Sequence, residues 1–259
     1  MQNATDSPPA KPLSALSPEA LRFHEVMESL YRKPDTYPGS VDSEAGRFLY
    51  SLVRLLRPEL AVEIGTHHGI STLWIARALE DNGSGRLLAL DLFEDPPAGE
   101  VQATLERAGL SHRVELVRGP SVSVGAKACR RAGRPIDFLF IDGDHRVEGC
   151  AADFETLGAL MRTGGIVVFH DIYPEPCGWD GPRFVLDYLD QHRDRVGPWQ
   201  AIEFPTSPNT PYGLAVLQKG SDAPIRILPR PAYWLYCWDT TFRFWLRGRR
   251  RGSAPKMRP

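Results

Sequence analysis

The sequence predicts an α/β protein built on a doubly wound, mostly parallel open sheet. Five short apolar runs, at 60–64, 86–90, 114–117, 136–141 and 165–169, lack polar alternation, as strands buried on both faces do. Helical patterns at 70–80, 100–108, 122–132 and 147–161 separate them. Five consecutive βα units result, and right-handed crossovers then place helices on both faces of the sheet. Two further strand-like runs, 200–204 and 212–217, flank the hairpin-type segment Ser207-Pro208-Asn209-Thr210-Pro211, so the last pair is expected to be antiparallel.

From the start of the chain, residues 1–17 are rich in Pro, Ser and Ala and read as a disordered leader with no apolar signal core. Ser17-Pro18-Glu19 reads as a helix cap followed by proline at the first helical position, opening a helix to about Leu30. The two prolines and the glycine between Tyr31 and Ser40 mark a loop. A second amphipathic helix opens at Ser43, with Phe48, Leu49, Leu52, Val53, Leu55 and Leu56 on its apolar side, and stops before Pro58. The expected organisation is a leader (1–17), two N-terminal helices (18–57), the sheet domain (58–220) and an aromatic, basic extension (221–259).

Composition narrows the function classes. At 259 residues with a formal net charge of −1, the chain has no strong electrostatic attraction for nucleic acid. The four cysteines, Cys129, Cys150, Cys177 and Cys237, form no CxxC pair, which argues against a disulfide framework or a thiolate zinc site. A reducing, cytoplasmic setting is the simplest inference. No apolar run approaches the ~20 residues of a spanning helix.

Ligands bind at the carboxyl ends of the strands in such sheets, so those residues carry the functional reading. They are Glu63-Ile64-Gly65-Thr66-His67-His68-Gly69, then Asp91, then Gly119-Pro120-Ser121, then Asp142-Gly143-Asp144-His145, then His170-Asp171. Gly65 and Gly69 allow close backbone approach and a tight start to the next helix. Their spacing is not the G-x-G-x-x-G of a dinucleotide site. Asp91 lies roughly the ~20 residues onward at which an acid reaches ribose hydroxyls.

Val62-Glu63-Ile64-Gly65, Ala89-Leu90-Asp91, Phe140-Ile141-Asp142-Gly143-Asp144-His145 and the run from Gly164 to His170-Asp171 together resemble the class I S-adenosylmethionine-dependent methyltransferases. The branch with I-D-G-D-H and H-D motifs is most similar: the macrocin-type sugar O-methyltransferases and, more distantly, the catechol O-methyltransferases. The resemblance spans about 43–217. It implies a Rossmann-like sheet of seven strands in the order 3-2-1-4-5-7-6 with an antiparallel last strand. It also implies S-adenosylmethionine as cofactor, with Glu63 and Gly65 at its methionine part, Asp91 on the ribose and Gly119 to Ser121 at the adenine. Thr66, His67, Ser71 and Thr72 are candidates for bonds at the carboxylate end, and Asp142 also borders the cofactor.

Methyl transfer to oxygen needs alignment and a base. His145 is the candidate, since its reference pKa of ~6.5 leaves it neutral and basic at cellular pH. It stands three residues after Asp142, as a lysine base follows the metal-binding aspartate in the catechol enzymes. Asp142 and Asp171 are expected to converge and to repel unless a proton or cation lies between them. With His170 they form a candidate metal site for magnesium or manganese. An acid commonly stands at the position of His170 in metal-dependent relatives, and imidazole favours manganese over magnesium. The metal-free alternative has Asp171 capping loop amides.

His67 and His68 read as solvated loop histidines, and Asp153 as facing solvent or making a contact along its helix. Asp144 has three readings: a pair with His145 or Arg146, a metal ligand, or a solvated acid. Tyr173, Trp179 and Tyr212 are candidate pocket walls or core. Trp234, Trp238, Phe242 and Trp245 form one stripe of a helix in the tail. The stripe is expected to pack on the sheet domain or a neighbouring subunit, with weak membrane contact as the alternative. The expected partner is a small hydroxylated acceptor, a sugar or natural product, with no nucleic acid; homo-oligomerisation is left open. Two other function classes compete: an NAD-type oxidoreductase, and an inactive membrane-peripheral or partner-binding protein.

Overall fold

The structure, a computed structural model, describes residues 17–34, 40–204 and 212–252, excluding side chains at 176, 177 and 249–252. The expected leader up to residue 16 and the expected hairpin segment at 207–211 lie outside those residues.

Helix α1 (Pro18–Tyr31) is capped by Ser17, whose hydroxyl accepts from the Ala20 amide at 3.2 Å. Helix α2 (Ser43–Leu56) is capped by Asp42, which accepts from the Glu44 and Ala45 amides. Then follow β1 (Leu60–Ile64), α3 (Ile70–Asn82), β2 (Arg86–Asp91), α4 (Ala98–Arg107), β3 (Val114–Arg118), α5 (Ser121–Ala132) and β4 (Ile136–Ile141). The chain continues through α6 (Val147–Gly158), β5 (Met161–His170), α7 (Pro174–Cys177), α8 (Gly181–Gln191), α9 (Arg193–Val196), β6 (Trp199–Phe204), β7 (Leu214–Lys219) and α10 (Arg230–Gly252).

The seven strands form one sheet in the order β3-β2-β1-β4-β5-β7-β6. The first five are parallel, and β7 runs antiparallel to both β5 and β6. Alternate residues of each central strand feed two separate cores. Val62, Ile64, Leu139, Ile141, Val167 and Phe169 pack with α5, α6 and α8. Ala61, Phe138, Phe140, Ile166 and Val168 pack with α2, α3 and α4 on the other face. Both faces being dry is why these strands read as unbroken apolar runs. Helices α2 and α3 meet closely at Gly46, where an added Cβ would lie 2.1 Å from the Trp74 indole nitrogen.

Strand β5 begins four residues earlier than the apolar run, at Met161, and helix α6 ends at Gly158 rather than 161. The added stretch holds exposed Arg162 and Thr163 and the left-handed Gly164 (φ 80°). It pairs through a register shift opposite Ile136 and Phe138. A bulged, solvent-facing strand segment carries no apolar pattern to find. Topology thus brings the C-terminal tips of β1 to β5 to one edge.

Candidate active site

A cavity of about 830 Å³ opens at that edge. Its floor is the β1–α3 turn. Gly65 has φ 89°, and a Cβ there would lie 1.9 Å from the Asp142 carbonyl, so the tips of β1 and β4 can approach only with glycine at this point. His67 takes the left-handed φ of 45° itself, without a glycine. Its ring is half-buried, 3.3 Å from the Ser40 hydroxyl and edge-on to His68, and burial lowers its pKa. His67 therefore stands at the cavity wall with its ring half-buried, and His68 packs against it from outside the lining.

Asp91, at the end of β2, fixes this turn. Its Oδ2 accepts the amides of Thr66 and His67, both at 2.9 Å, and its Oδ1 accepts the Phe93 amide at 2.8 Å. A carboxylate offers about four lone-pair sites, so Asp91 retains acceptor capacity at the cavity while holding the loop. Thr66 also lines the cavity, with a buried Oγ1 that has no hydrogen-bond partner among the described residues.

Glu63 differs from the sequence expectation of a cofactor-lining acid. It is fully buried behind the cavity, not on its wall. Its Oε2 accepts from the Thr72 hydroxyl at 2.5 Å. Burial pushes its carboxyl up to about 7 against the opposing bonds from Ser71 and Thr72. Glu63 thus braces the first turn of α3, and Ser71 is the residue that reaches the cavity.

Gly119, Pro120 and Ser121 line the side below β3. The Ser121 hydroxyl donates to Asp153, which is buried rather than facing solvent. Burial raises the Asp153 carboxyl to about 7, the Ser121 bond opposing it and the nearby Asp144 adding to it. The reason is the packing of α6: Cys150, Ala151, Ala152, Phe154 and Leu157 are buried all around, so no polar face exists for an acid there.

The opposite wall gathers Asp142, His145, His170 and Asp171. Asp142 Oδ1 lies 3.4 Å from His145 Nε2 and 3.3 Å from His170 Nδ1. Asp171 completes the group, with Oδ2 at 3.1 Å from His145 Nε2 and Oδ1 at 2.8 Å from His170 Nδ1. Asp171 adopts a left-handed φ of 57°, a conformation unfavourable for aspartate that the surrounding fold maintains. Burial opposes charge on both rings, but the carboxylates outweigh it: His145 rises to about 10 and His170 well above its ordinary value. Burial likewise works against the two carboxylates. The paired imidazoles, His170 foremost for Asp142 and His145 for Asp171, hold both below the usual range. Beside two unscreened carboxylates, then, the His145 ring is held toward its charged form.

Asp142, His170 and Asp171 each offer a ligand atom, and these atoms lie within 4.8 Å of one another. His145 Nε2 and His170 Nδ1 are buried and at ion-pair distance from the carboxylates, yet without hydrogen-bond geometry. Asp142, His170 and Asp171, one buried imidazole beside two carboxylates, make a donor set that would fit a divalent cation. The mixed imidazole and carboxylate donor set suits manganese, and tolerates magnesium less well.

The last wall was not legible as part of the site. Helix α10 contributes Tyr236, Asp239, Thr240, Arg243, Phe244 and Arg247 to the cavity. Tyr236 donates to Asp144 Oδ2 at 2.8 Å, while Arg146 pairs with the same carboxylate. Arg247 reaches Glu94 at 2.9 Å, and Arg118 lies over the Phe244 ring at 5.7 Å. The segment entering α10 is anchored by buried Glu155, which accepts the Ile227 and Leu228 amides and pairs with Arg230. Of the expected aromatic stripe, Trp234, Trp238 and Phe242 are exposed on the side of α10 away from the cavity, not buried against the sheet domain. Trp179 and Tyr212 line the cavity, whereas Tyr173 packs against the core.

Residues 62–172 match a family model described as a methyltransferase domain. Among curated proteins, the catechol O-methyltransferase of Niastella koreensis is 35% identical over 133 residues, 51% of this chain and 58% of that one. The catechol O-methyltransferase of Mycobacterium tuberculosis is 32% identical, over 51% of this chain and 57% of its own. The chain thus spans less than two thirds of the length of these relatives. Among solved structures, the O-methyltransferase TomG from Streptomyces achromogenes, in complex with SAM, superposes with a TM-score of 0.63 at 24% identity, covering 80% of this chain and 93% of TomG. An O-methyltransferase from Bacillus cereus in complex with SAH gives 0.57 at 24% identity, over 80% and 94%. These two likenesses carry the fold. Over residues 62–172, then, the chain is similar to methyltransferase domains, and its sheet order is that of the class I S-adenosylmethionine-dependent methyltransferase fold.

Proposed function

We propose that the protein transfers the methyl group of S-adenosylmethionine to a hydroxyl oxygen of a small acceptor, a sugar or a phenolic natural product, with a divalent cation at Asp142, His170 and Asp171. The observation that carries this reading is the sharing of one cavity by the Asp91-anchored glycine turn and the Asp/His cluster. The oxidoreductase and inactive-protein alternatives find no support among the relatives, which are O-methyltransferases.

Bound S-adenosylmethionine supplies a methyl group on a sulfonium, and a divalent ion supplies charge that lowers the acceptor hydroxyl's pKa. The rest falls to the chain. Gly65, Thr66 and Ser71 form the end that takes the amino-acid part, Asp91 takes a ribose hydroxyl on its remaining lone pairs, and Gly119 to Ser121 border the adenine. Asp142 borders both ligands. His145 accepts the acceptor's hydroxyl proton at Nε2. A divalent cation held by Asp142, His170 and Asp171 would offset the carboxylate charge that otherwise keeps this ring protonated, leaving Nε2 as the acceptor. Trp179 and Tyr212 give the acceptor flat walls suited to a ring.

The test is label transfer from methyl-labelled S-adenosylmethionine by the full chain with manganese, using catechol, caffeoyl-CoA and a methyl glycoside as probes. Label on an acceptor oxygen is expected; no turnover with any of the three contradicts the O-transfer reading.

A further inference from the structure

Helix α10 is two-sided. At ~100° per residue, Tyr236, Thr240, Arg243 and Arg247 fall on the face that closes the cavity. Trp234, Leu235, Trp238 and Phe242 fall on the opposite one, where they are 65%, 65%, 62% and 41% exposed. Leu246 continues this face, and the Trp238, Phe242 and Trp245 rings stack in sequence along it, with centroids 5.1 and 6.1 Å apart. Contiguous exposed apolar surface of this kind marks an interaction site.

The charge beside it narrows the partner. From residue 247 onward the sequence holds Arg247, Arg249, Arg250, Arg251, Lys256 and Arg258 and no acid. The rest of the chain is correspondingly acidic. No helix among the described residues is long and apolar enough to cross a membrane. A helix with a Trp/Phe/Leu arc, a basic run at one end and an opposite face fixed to a folded domain suits the plane of an interface between water and anionic lipid. Tryptophan is the side chain that favours that layer.

The geometry points to a docking surface: the outer face of α10, centred on Trp234, Trp238 and Phe242, lies on an anionic bilayer surface, with the basic segment after residue 248 supplying the electrostatic attraction. Because the same helix walls the cavity, docking places the site one helix diameter, ~10 Å, from the lipid.

Vesicle co-sedimentation of the full chain tests this, with phosphatidylcholine alone and with phosphatidylcholine containing phosphatidylserine. Pelleting with the mixed vesicles, lost at high salt and absent with phosphatidylcholine alone, is expected, with a blue shift of tryptophan emission. The triple substitution Trp234→Gln, Trp238→Gln, Phe242→Gln alters only exposed side chains and should weaken vesicle binding by at least about tenfold, with S-adenosylmethionine affinity unchanged, which shows that the fold persists. Equal pelleting of wild type and triple variant overturns the proposal. So does a dimer in sedimentation analysis that the triple substitution dissolves, because the face then belongs to a second copy. Vesicle binding needs no methyl transfer, so this test stands apart from that of the enzyme activity.

Discussion

Asp91 Oδ2 receives both the Thr66 and the His67 amide at 2.9 Å, so the acid that ends β2 organises the loop that ends β1. Removing the carboxylate leaves two part-buried amides without a protein partner, each costing about 1–3 kcal/mol. Asp91→Ala is expected to speed hydrogen exchange at these two amides at least tenfold while the β4 and β5 amides stay protected. Unchanged exchange at Thr66 and His67 contradicts the anchoring role.

The cation site depends on one imidazole between two acids. Excess chelator should stop turnover, and manganese should restore it better than magnesium. His170→Asp converts the donor set to oxygen alone and should invert that preference. Manganese and magnesium titrations of both proteins, read by activity and by calorimetry, check this. Full activity in chelator removes the metal from the account.

His145→Gln keeps a polar side chain near Asp142 and Asp171 but removes the proton acceptor. A base of this type contributes about 10²–10⁴-fold. Turnover is expected to fall in that range, with S-adenosylmethionine affinity within about threefold of wild type. Loss of cofactor affinity instead of turnover assigns His145 a structural role.

The buried Asp153 carboxyl makes ligand-free stability pH-dependent. Its ordinary value is 3.8, and burial raises it to about 7 in the folded chain. Between those values the folded state holds the extra proton, so this group's contribution to stability declines as pH rises from about 4 to about 7 and is level above. Asp153→Asn keeps an acceptor for Ser121 and has no charge to desolvate. It should match wild type at about pH 2 to 3, below the ordinary value of 3.8, where the carboxyl is protonated in both states, and melt higher at pH 8. An equal melting temperature at pH 8 contradicts the raised value.

The central strands were legible because each is buried on both faces and therefore carries no polar residue to interrupt its run. The tips were legible for the same reason: Asp91, Asp142 and Asp171 stand where apolar runs stop. Contacts across elements were not. Nothing local tells that Asp91 bonds the Thr66 amide, that Glu63 lies behind the cavity wall, or that two carboxylates raise His145 to about 10. Asp153 carried a signal that was missed, since the apolar and small residues at 149–152 and 154 leave its helix no solvent face. In α10 the rule that aromatic stripes face inward reversed. Tyr236 bonds Asp144 and Arg247 pairs with Glu94, so the polar face is held against the site and the stripe is turned out.

The most direct test is calorimetry of the full chain with S-adenosylmethionine and with NAD, alongside Asp91→Ala. Wild type is expected to bind S-adenosylmethionine in the micromolar range, with at least about a hundredfold loss in the variant and no heat with NAD. Wild-type affinity in Asp91→Ala, or a preference for NAD, contradicts it.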